Sequence, residues 1–159
     1  MVSLSHLFID KIALTIPVQS RTLQHNITDW LQTCADSGII RLISYGDLLA
    51  RYHLAYGIPL AYGRNIIVQA APRDESLNFL RLEFNPNNKG PAQEHPFSLV
   101  TSILCEAWPA FVLALERARL NRLDFAVDIY DMHIDRLGVH HNTRSTFSKN
   151  FARSGRTMA

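Results

Sequence analysis

The chain has 159 residues, of which 47% are hydrophobic and 19% are charged. This length fits one ordinary domain, and the hydrophobic content argues against disorder, which goes with few apolar residues and high net charge. Two cysteines are too few for a disulfide scaffold, and no apolar run approaches the ~20 residues of a membrane helix. The first residues lack a basic region followed by an apolar stretch, so we expect a cytoplasmic protein.

The net charge of +2 is unevenly distributed along the chain. Residues 136–159 hold five basic residues and no acidic one, which leaves 11 basic and 14 acidic residues, or −3, in the remainder. The five basic residues are Arg136, Arg144, Lys149, Arg153 and Arg156. A weakly acidic body with a basic, Ser/Thr-rich end is typical either of a protein that contacts a polyanion or of a solvated tail.

The predicted elements alternate between strands and helices. Alternating apolar residues predict a strand over 7–18, and apolar spacings of three and four predict a helix over 22–37 that ends before Gly38. The later predictions are strands at 39–44, 66–70, 79–85 and 121–130 and a long helical segment at 97–120. Pro109 is expected to kink that segment or divide it in two.

The stretch 46–63 remains open, because Asp47 could cap a short helix through Tyr56 while its Tyr-Gly pairs could punctuate a hairpin. The remaining order of strands and helices predicts an α+β fold. We expect an antiparallel sheet with helices packed on one face, in a ferredoxin-like layout.

Two of the predicted strands carry charged side chains on the face opposite their apolar residues. The acidic members of this face are Glu83, Asp124 and Asp128, and the basic members are Arg81 and Arg122. Carboxylates gathered on one sheet face repel unless a cation neutralises them, and Mg²⁺ and Mn²⁺ prefer carboxylate oxygens. The pattern therefore indicates either a divalent-metal site or a solvated face on which the arginines pair with the acids.

Tyr52 and Tyr56 are four residues apart and would share a face if their stretch were helical. Such tyrosines could attack a phosphodiester, because a phenolate forms a stable phosphate ester, but the neighbouring leucines favour packing of the aromatic rings as the explanation. The chain has no phosphate-binding P-loop, no Cys-x-x-Cys and no Gly-x-Ser-x-Gly. Nucleotide-driven motors, zinc modules and common serine hydrolases therefore lack support.

Three segments resemble a known family. The segments "FLRLEFNPNNKG" at 79–90 and "NRLDFAVDIYD" at 121–131 resemble the replication initiators of filamentous phages and rolling-circle plasmids, the Rep_trans-like replication initiation factors. The segment "FIDKIALTIPV" at 8–18 is similar to the first strand of these proteins. The resemblance extends from Phe8 to about Leu137.

The resemblance implies a DNA-binding protein that recognises a replication origin and nicks one strand through a tyrosine and a divalent metal ion. It implies Glu83, Asp124 and Asp128 as ligands of Mg²⁺ or Mn²⁺. It also implies origin DNA, double-stranded or single-stranded, as the partner, with a host helicase and a second copy of the chain as further partners and no membrane. The residues implied in DNA binding are Arg81, Arg122, Arg144, Lys149, Arg153 and Arg156.

The chain departs from the family pattern near its end. In similar proteins the strand that ends at Asp128 is followed by a Gly-Ser-Arg stretch and the nucleophilic tyrosine, whereas this chain ends with "SGRTMA". We expect residues 1–137 to be the N-terminal part of an initiator-like domain and residues 138–159 to be the basic, loosely structured end of a truncated one. The catalytic residue is then unknown, and the alternative is a non-catalytic, DNA-binding short form that lacks the nucleophile.

Overall fold

The computed structural model describes residues 3–4, 6–44 and 46–130. This region contains eight strands: β1 (Ser3–Leu4), β2 (Phe8–Pro17), β3 (Arg41–Ile43), β4 (Tyr52–Pro59), β5 (Asn65–Pro72), β6 (Phe79–Phe84), β7 (Arg119–Ala126) and β8 (Ile129–Tyr130). The helices are α1 (Arg21–Asp36), α2 (Pro96–Ala107) and α3 (Phe111–Leu115).

Six of the strands form one antiparallel sheet in the order β3-β4-β5-β6-β2-β7, while β1 pairs only with β8. The helices pack on this sheet and bury its apolar face. The predicted α+β class, with an antiparallel sheet, helices packed on it and a ferredoxin-like layout, is confirmed. Within the described part of the chain, no helix is long and apolar enough to cross a membrane.

Helix α1 begins and ends where the sequence predicts. The Ser20 hydroxyl accepts a hydrogen bond from the backbone N–H of Leu23 at 3.1 Å and so caps the first turn. Ile27 and Leu31, at the centre of its apolar stripe, are fully buried against the sheet. After the helix, Gly38 adopts a φ of 76°, a left-handed conformation that glycine adopts without a steric penalty.

Pro109 divides the second helical segment, as predicted. Helix α2 stops at Ala107 and the shorter α3 starts at Phe111, with the Trp108 ring fully buried between them. Proline cannot donate the hydrogen bond that a continuous helix would need at this point. The predicted segment extends too far, because Arg119 and Leu120 already belong to β7.

The open stretch 46–63 contains a strand, so the hairpin alternative is correct and the short helix through Tyr56 is wrong. Strand β4 pairs with β5 along its whole length, from Tyr52 opposite Pro72 to Pro59 opposite Asn65. The two strands turn through Ala61–Gly63. Together with the pairings of β4 to β3 and of β5 to β6, the β4–β5 pairing places both strands inside the sheet.

The predicted continuous strand over 121–130 is also wrong in part. Strand β7 ends at Ala126, and the chain resumes pairing only at β8, which belongs to the small sheet with β1. Because β7 is the last strand of its sheet, its apolar side chains stay largely open to solvent, with Phe125 57% exposed.

Candidate nucleic-acid interface

The sheet face away from the helices carries polar side chains that the strand register arranges in rows. One row runs from Gln69 on β5 through Arg81 on β6 and Thr15 on β2 to Arg119 on β7. The next row places Glu83 on β6 opposite Ala13 on β2, and Ala13 opposite Arg122 on β7. Neighbouring strands lie about 4.8 Å apart, so side chains separated by one strand are about 10 Å apart.

Arg81 is the centre of a hydrogen-bonded network on this face. Its guanidinium donates to the Gln69 amide oxygen at 2.6 Å and to the Glu83 carboxylate at 2.7 Å. The Glu83 carboxylate also forms an ion pair with the ammonium group of Lys11, with 3.0 Å between Oε1 and Nζ. The Gln69 amide nitrogen donates to the backbone carbonyl of Leu48 and so anchors the network to the segment before β4. Two cations therefore share one carboxylate and leave an excess of positive charge.

A second ion pair lies on β7, two strands away from Arg81 and Glu83 on β6. The Arg122 guanidinium contacts both carboxylate oxygens of Asp124. Its Nε lies 2.8 Å from Oδ1, and its Nη2 lies 2.7 Å from Oδ2. This two-point contact lowers the pKa of Asp124 and raises that of Arg122. Lys11 lies opposite Asp124 in the register but forms its ion pair with Glu83. Its charge also helps to lower the pKa of Asp124.

A β-bulge brings one more polar side chain onto the face. Ala13 pairs with Arg122 while the next residue, Leu14, pairs with Leu120, so Asn121 is the extra residue on β7. The Asn121 amide oxygen accepts a hydrogen bond from the Thr15 hydroxyl at 2.6 Å. The bulge thus adds a polar group beside Arg122 without breaking the sheet.

Most of these side chains, although not Lys11 or Asp124, line an open cleft of about 1490 Å³, which we call the cationic cleft. Its walls include the segments 47–52 and 72–79 on one side and the start of β7 on the other. The basic residues that line it are Arg51, Arg73, Arg81, Arg117, Arg119 and Arg122. The acidic ones are Asp47, Asp74 and Glu83. Six guanidinium groups against three carboxylates make the cleft positive, although the body of the chain is weakly acidic.

Four of the six arginines have no ion-pair partner among the described residues: Arg51, Arg73, Arg117 and Arg119. All four are exposed, and Arg73 alone is tethered, through a 2.9 Å hydrogen bond to the carbonyl of Leu49. A guanidinium presents several N–H groups in a planar fork that matches two oxygens of a phosphate. The cleft therefore offers free donors on both of its walls.

The predicted metal ligands occupy different places. Glu83 and Asp124 lie on the same face, as expected, but Lys11, Arg81 and Arg122 already engage their carboxylates. Asp128 lies beyond the end of β7 and accepts a hydrogen bond from the Tyr130 hydroxyl at 3.5 Å. Among the described residues no group of three or more His, Cys, Asp or Glu side chains could hold a metal ion. The Mg²⁺ or Mn²⁺ site stays a prediction.

The predicted DNA-binding residues divide into two groups. Arg81 and Arg122 both line the cationic cleft. The four residues of the basic end, Arg144, Lys149, Arg153 and Arg156, lie outside the described residues.

The two candidate tyrosines have different surroundings. Tyr52 lines the cleft and packs edge-on against Phe79, with ring centroids 5.9 Å apart, and burial raises its pKa although Arg81 and Arg51 oppose this shift. Tyr56 is fully buried, and its hydroxyl donates to the Gln32 side chain at 3.2 Å. Burial raises the pKa of Tyr56 to about 12. Neither environment favours a phenolate, and packing explains both residues.

Sequence reasoning missed Lys11, Arg51, Arg73, Arg117 and Arg119. Lys11 could have been found, because it alternates with the apolar residues of a predicted strand. The four arginines lie in or beside turns, where strand alternation gives no signal. Their convergence on one cleft depends on the strand order, which brings β7 beside β2.

The Glu83 network makes the fold sensitive to acid. Burial would raise the pKa of Glu83, but the hydrogen bonds from Lys11 and Arg81 outweigh it and lower the pKa from its usual 4.5. A carboxylate whose pKa is depressed in the folded state stabilises the fold above its unfolded pKa and loses that contribution as pH falls through its folded pKa. We expect the free energy of unfolding, measured with urea, to fall below about pH 4.5, and to fall less steeply in Glu83→Gln. Equal slopes in both proteins would contradict this assignment.

Comparisons with protein-family models, curated proteins and solved structures found no match to this chain.

Proposed function

We propose that the chain binds DNA through the cationic cleft and is a rolling-circle replication initiator of phage or plasmid type, or its N-terminal portion, acting in a bacterial cytoplasm. The observation that carries the DNA-binding part is the excess of arginine over acid in a single cleft on the uncovered sheet face. Phosphate contacts by Arg supply most of the sequence-independent affinity for DNA. The volume of the cleft, about 1490 Å³, exceeds the range of roughly 300–1,000 Å³ that is usual for small-molecule sites.

The initiator part is supported by where the resembling segments lie. The segments at 8–18, 79–90 and 121–131 contain or overlap β2, β6 and β7. These strands are far apart in sequence, but they are neighbours in the order β6-β2-β7 and carry Lys11, Arg81 and Arg122 on one face. The similarity to replication initiators therefore falls on the strands that form the centre of the proposed DNA-binding surface.

A non-catalytic DNA-binding protein is the second candidate, and the ion pairs favour it. Metal-assisted nicking needs carboxylates that can reach a cation, whereas Glu83 and Asp124 are neutralised by Lys11, Arg81 and Arg122. A nicking assay on supercoiled origin DNA with Mg²⁺ or Mn²⁺ separates the two candidates. Labelled DNA attached covalently to the protein would support an initiator, and binding without any nick would support the non-catalytic form.

DNA binding itself is tested by a pair of matched arginine variants. We expect Arg122→Gln to weaken binding of a labelled oligonucleotide about fivefold, because it removes a cation that faces the phosphates. Arg41→Gln should leave binding unchanged, since Arg41 is an exposed strand arginine at the opposite edge of the sheet and outside the cleft. Fluorescence anisotropy at low and moderate salt measures both. Equal affinities of the two variants, or an affinity that does not respond to salt, would refute binding through the cleft.

A further inference from the structure

The turn between β4 and β5 presents a fully exposed aromatic ring. Leu60 N–H donates to the Arg64 carbonyl at 2.8 Å and Arg64 N–H donates to the Ala61 carbonyl at 3.3 Å, which closes a tight hairpin. Tyr62 and Gly63 are its two central residues, with φ values of 58° and 71°. The Tyr62 side chain is 97% exposed.

The backbone of this turn suits other residues better than tyrosine. A hairpin turn with two left-handed central residues strongly favours Asn, Asp or Gly at the first of them. Tyrosine in that conformation is strained, and an exposed ring gains no packing energy that would offset the strain. Neither the backbone conformation nor the packing of the folded state therefore explains a tyrosine at this position.

The surroundings of Tyr62 are basic. Arg64 follows Tyr62 by two residues, and its side chain is exposed. Lys89, also exposed, lies against the turn, since its carbonyl accepts a 2.9 Å hydrogen bond from the Ala61 N–H. Proteins that bind single-stranded nucleic acid use this combination of an aromatic ring and cations. The ring stacks on a base, and the cations contact the phosphate backbone.

We propose that Tyr62 stacks on an unpaired base of the nucleic acid whose backbone occupies the cationic cleft. This inference rests on the proposed function. The cleft is lined by Tyr52 and Pro72 at one end of the β4–β5 hairpin, and Tyr62 lies at the other end, ten residues further along the chain. At about 3.3 Å per residue the two sites are about 30 Å apart. A single strand that reaches both sites must be several nucleotides long, and a shorter one reaches the cleft alone.

Three variants of the full chain test this with single-stranded probes of about 20 and about four nucleotides. Tyr62→Phe keeps the ring and should bind both probes like the wild type. Tyr62→Asn suits the turn, so its urea midpoint should equal or exceed that of the wild type, while its affinity for the long probe should fall about fivefold or more. Tyr62→Ala should lose the same affinity. The short probe should bind equally to all three variants.

The outcomes separate this inference from the proposed function. Wild-type affinity of Tyr62→Asn for the long probe would overturn stacking by Tyr62, even if Arg122→Gln still weakens binding through the cleft. A lower urea midpoint in Tyr62→Asn would show that tyrosine serves the turn itself, and would also overturn the inference. If Arg122→Gln binds both probes like the wild type, the proposed function fails first.

Discussion

Replacing Arg51, Arg117 and Arg119 together with glutamine should abolish most of the affinity for DNA. These arginines lie on both walls of the cationic cleft and have no ion-pair partner among the described residues, so they are free to neutralise phosphates. Each lost phosphate contact reduces the slope of log affinity against log salt by about 0.7–0.9, so the triple variant should lose about two to three units of slope. Fluorescence anisotropy of labelled DNA, measured for the variant and the wild type over a range of salt concentrations, gives this slope.

The control for this experiment keeps the number of lost charges constant. Arg21 and Arg41 are exposed arginines outside the cleft, and their double replacement by glutamine removes the same charge as the double replacement of Arg117 and Arg119. DNA should bind this control about as well as it binds the wild type. If both double variants lose the same slope, general charge rather than the cleft attracts the DNA, and the assignment of the interface is wrong.

Glu83→Gln should move stability and DNA binding in opposite directions. The Glu83 side chain is only 15% exposed and holds both Lys11 and Arg81, so its neutralisation leaves two cations without their carboxylate. We expect the free energy of unfolding to fall by about 1–3 kcal/mol. DNA affinity should rise about threefold or more, because Lys11 and Arg81 become available to phosphate and one repelling charge disappears. Urea unfolding and anisotropy measure the two effects.

Glu106→Gln is the matched control, since Glu106 is exposed on α2 and outside the cleft. It should change neither quantity. A fall in DNA affinity of Glu83→Gln that appears only when Mg²⁺ or Mn²⁺ is present would contradict the ion-pair role of Glu83. That result would instead support the metal site expected from the family resemblance.

The local elements could be predicted because each has a strong signal in the sequence. The alternation in 7–18 and the three-and-four spacing in 22–37 predict β2 and α1 almost to the residue. Pro109 predicts the break between α2 and α3. Strand β4 could not be predicted in this way, because a run of apolar and aromatic residues broken by Gly57 fits neither periodicity.

The candidate site was only partly predictable, since it depends on which strands are neighbours. Alternation along each strand places Arg81 with Glu83 and Arg122 with Asp124, and these are the pairs that form. Alternation within a strand cannot show that β2 lies between β6 and β7. That neighbour relation brings Lys11 within ion-pair distance of Glu83, so that each of the two acids is engaged by a cation.

The position of β2 also has a consequence for how the protein folds. The pairs β3–β4, β4–β5 and β5–β6 join strands that are consecutive in the chain, whereas β2 pairs with β6 and with β7, and β7 is about a hundred residues away in sequence. Closing so long a loop costs entropy before any pairing energy is gained, which slows folding. During synthesis on the ribosome, β2 therefore remains without one of its neighbours until β7 has emerged. The two walls of the cleft come together only at that late step.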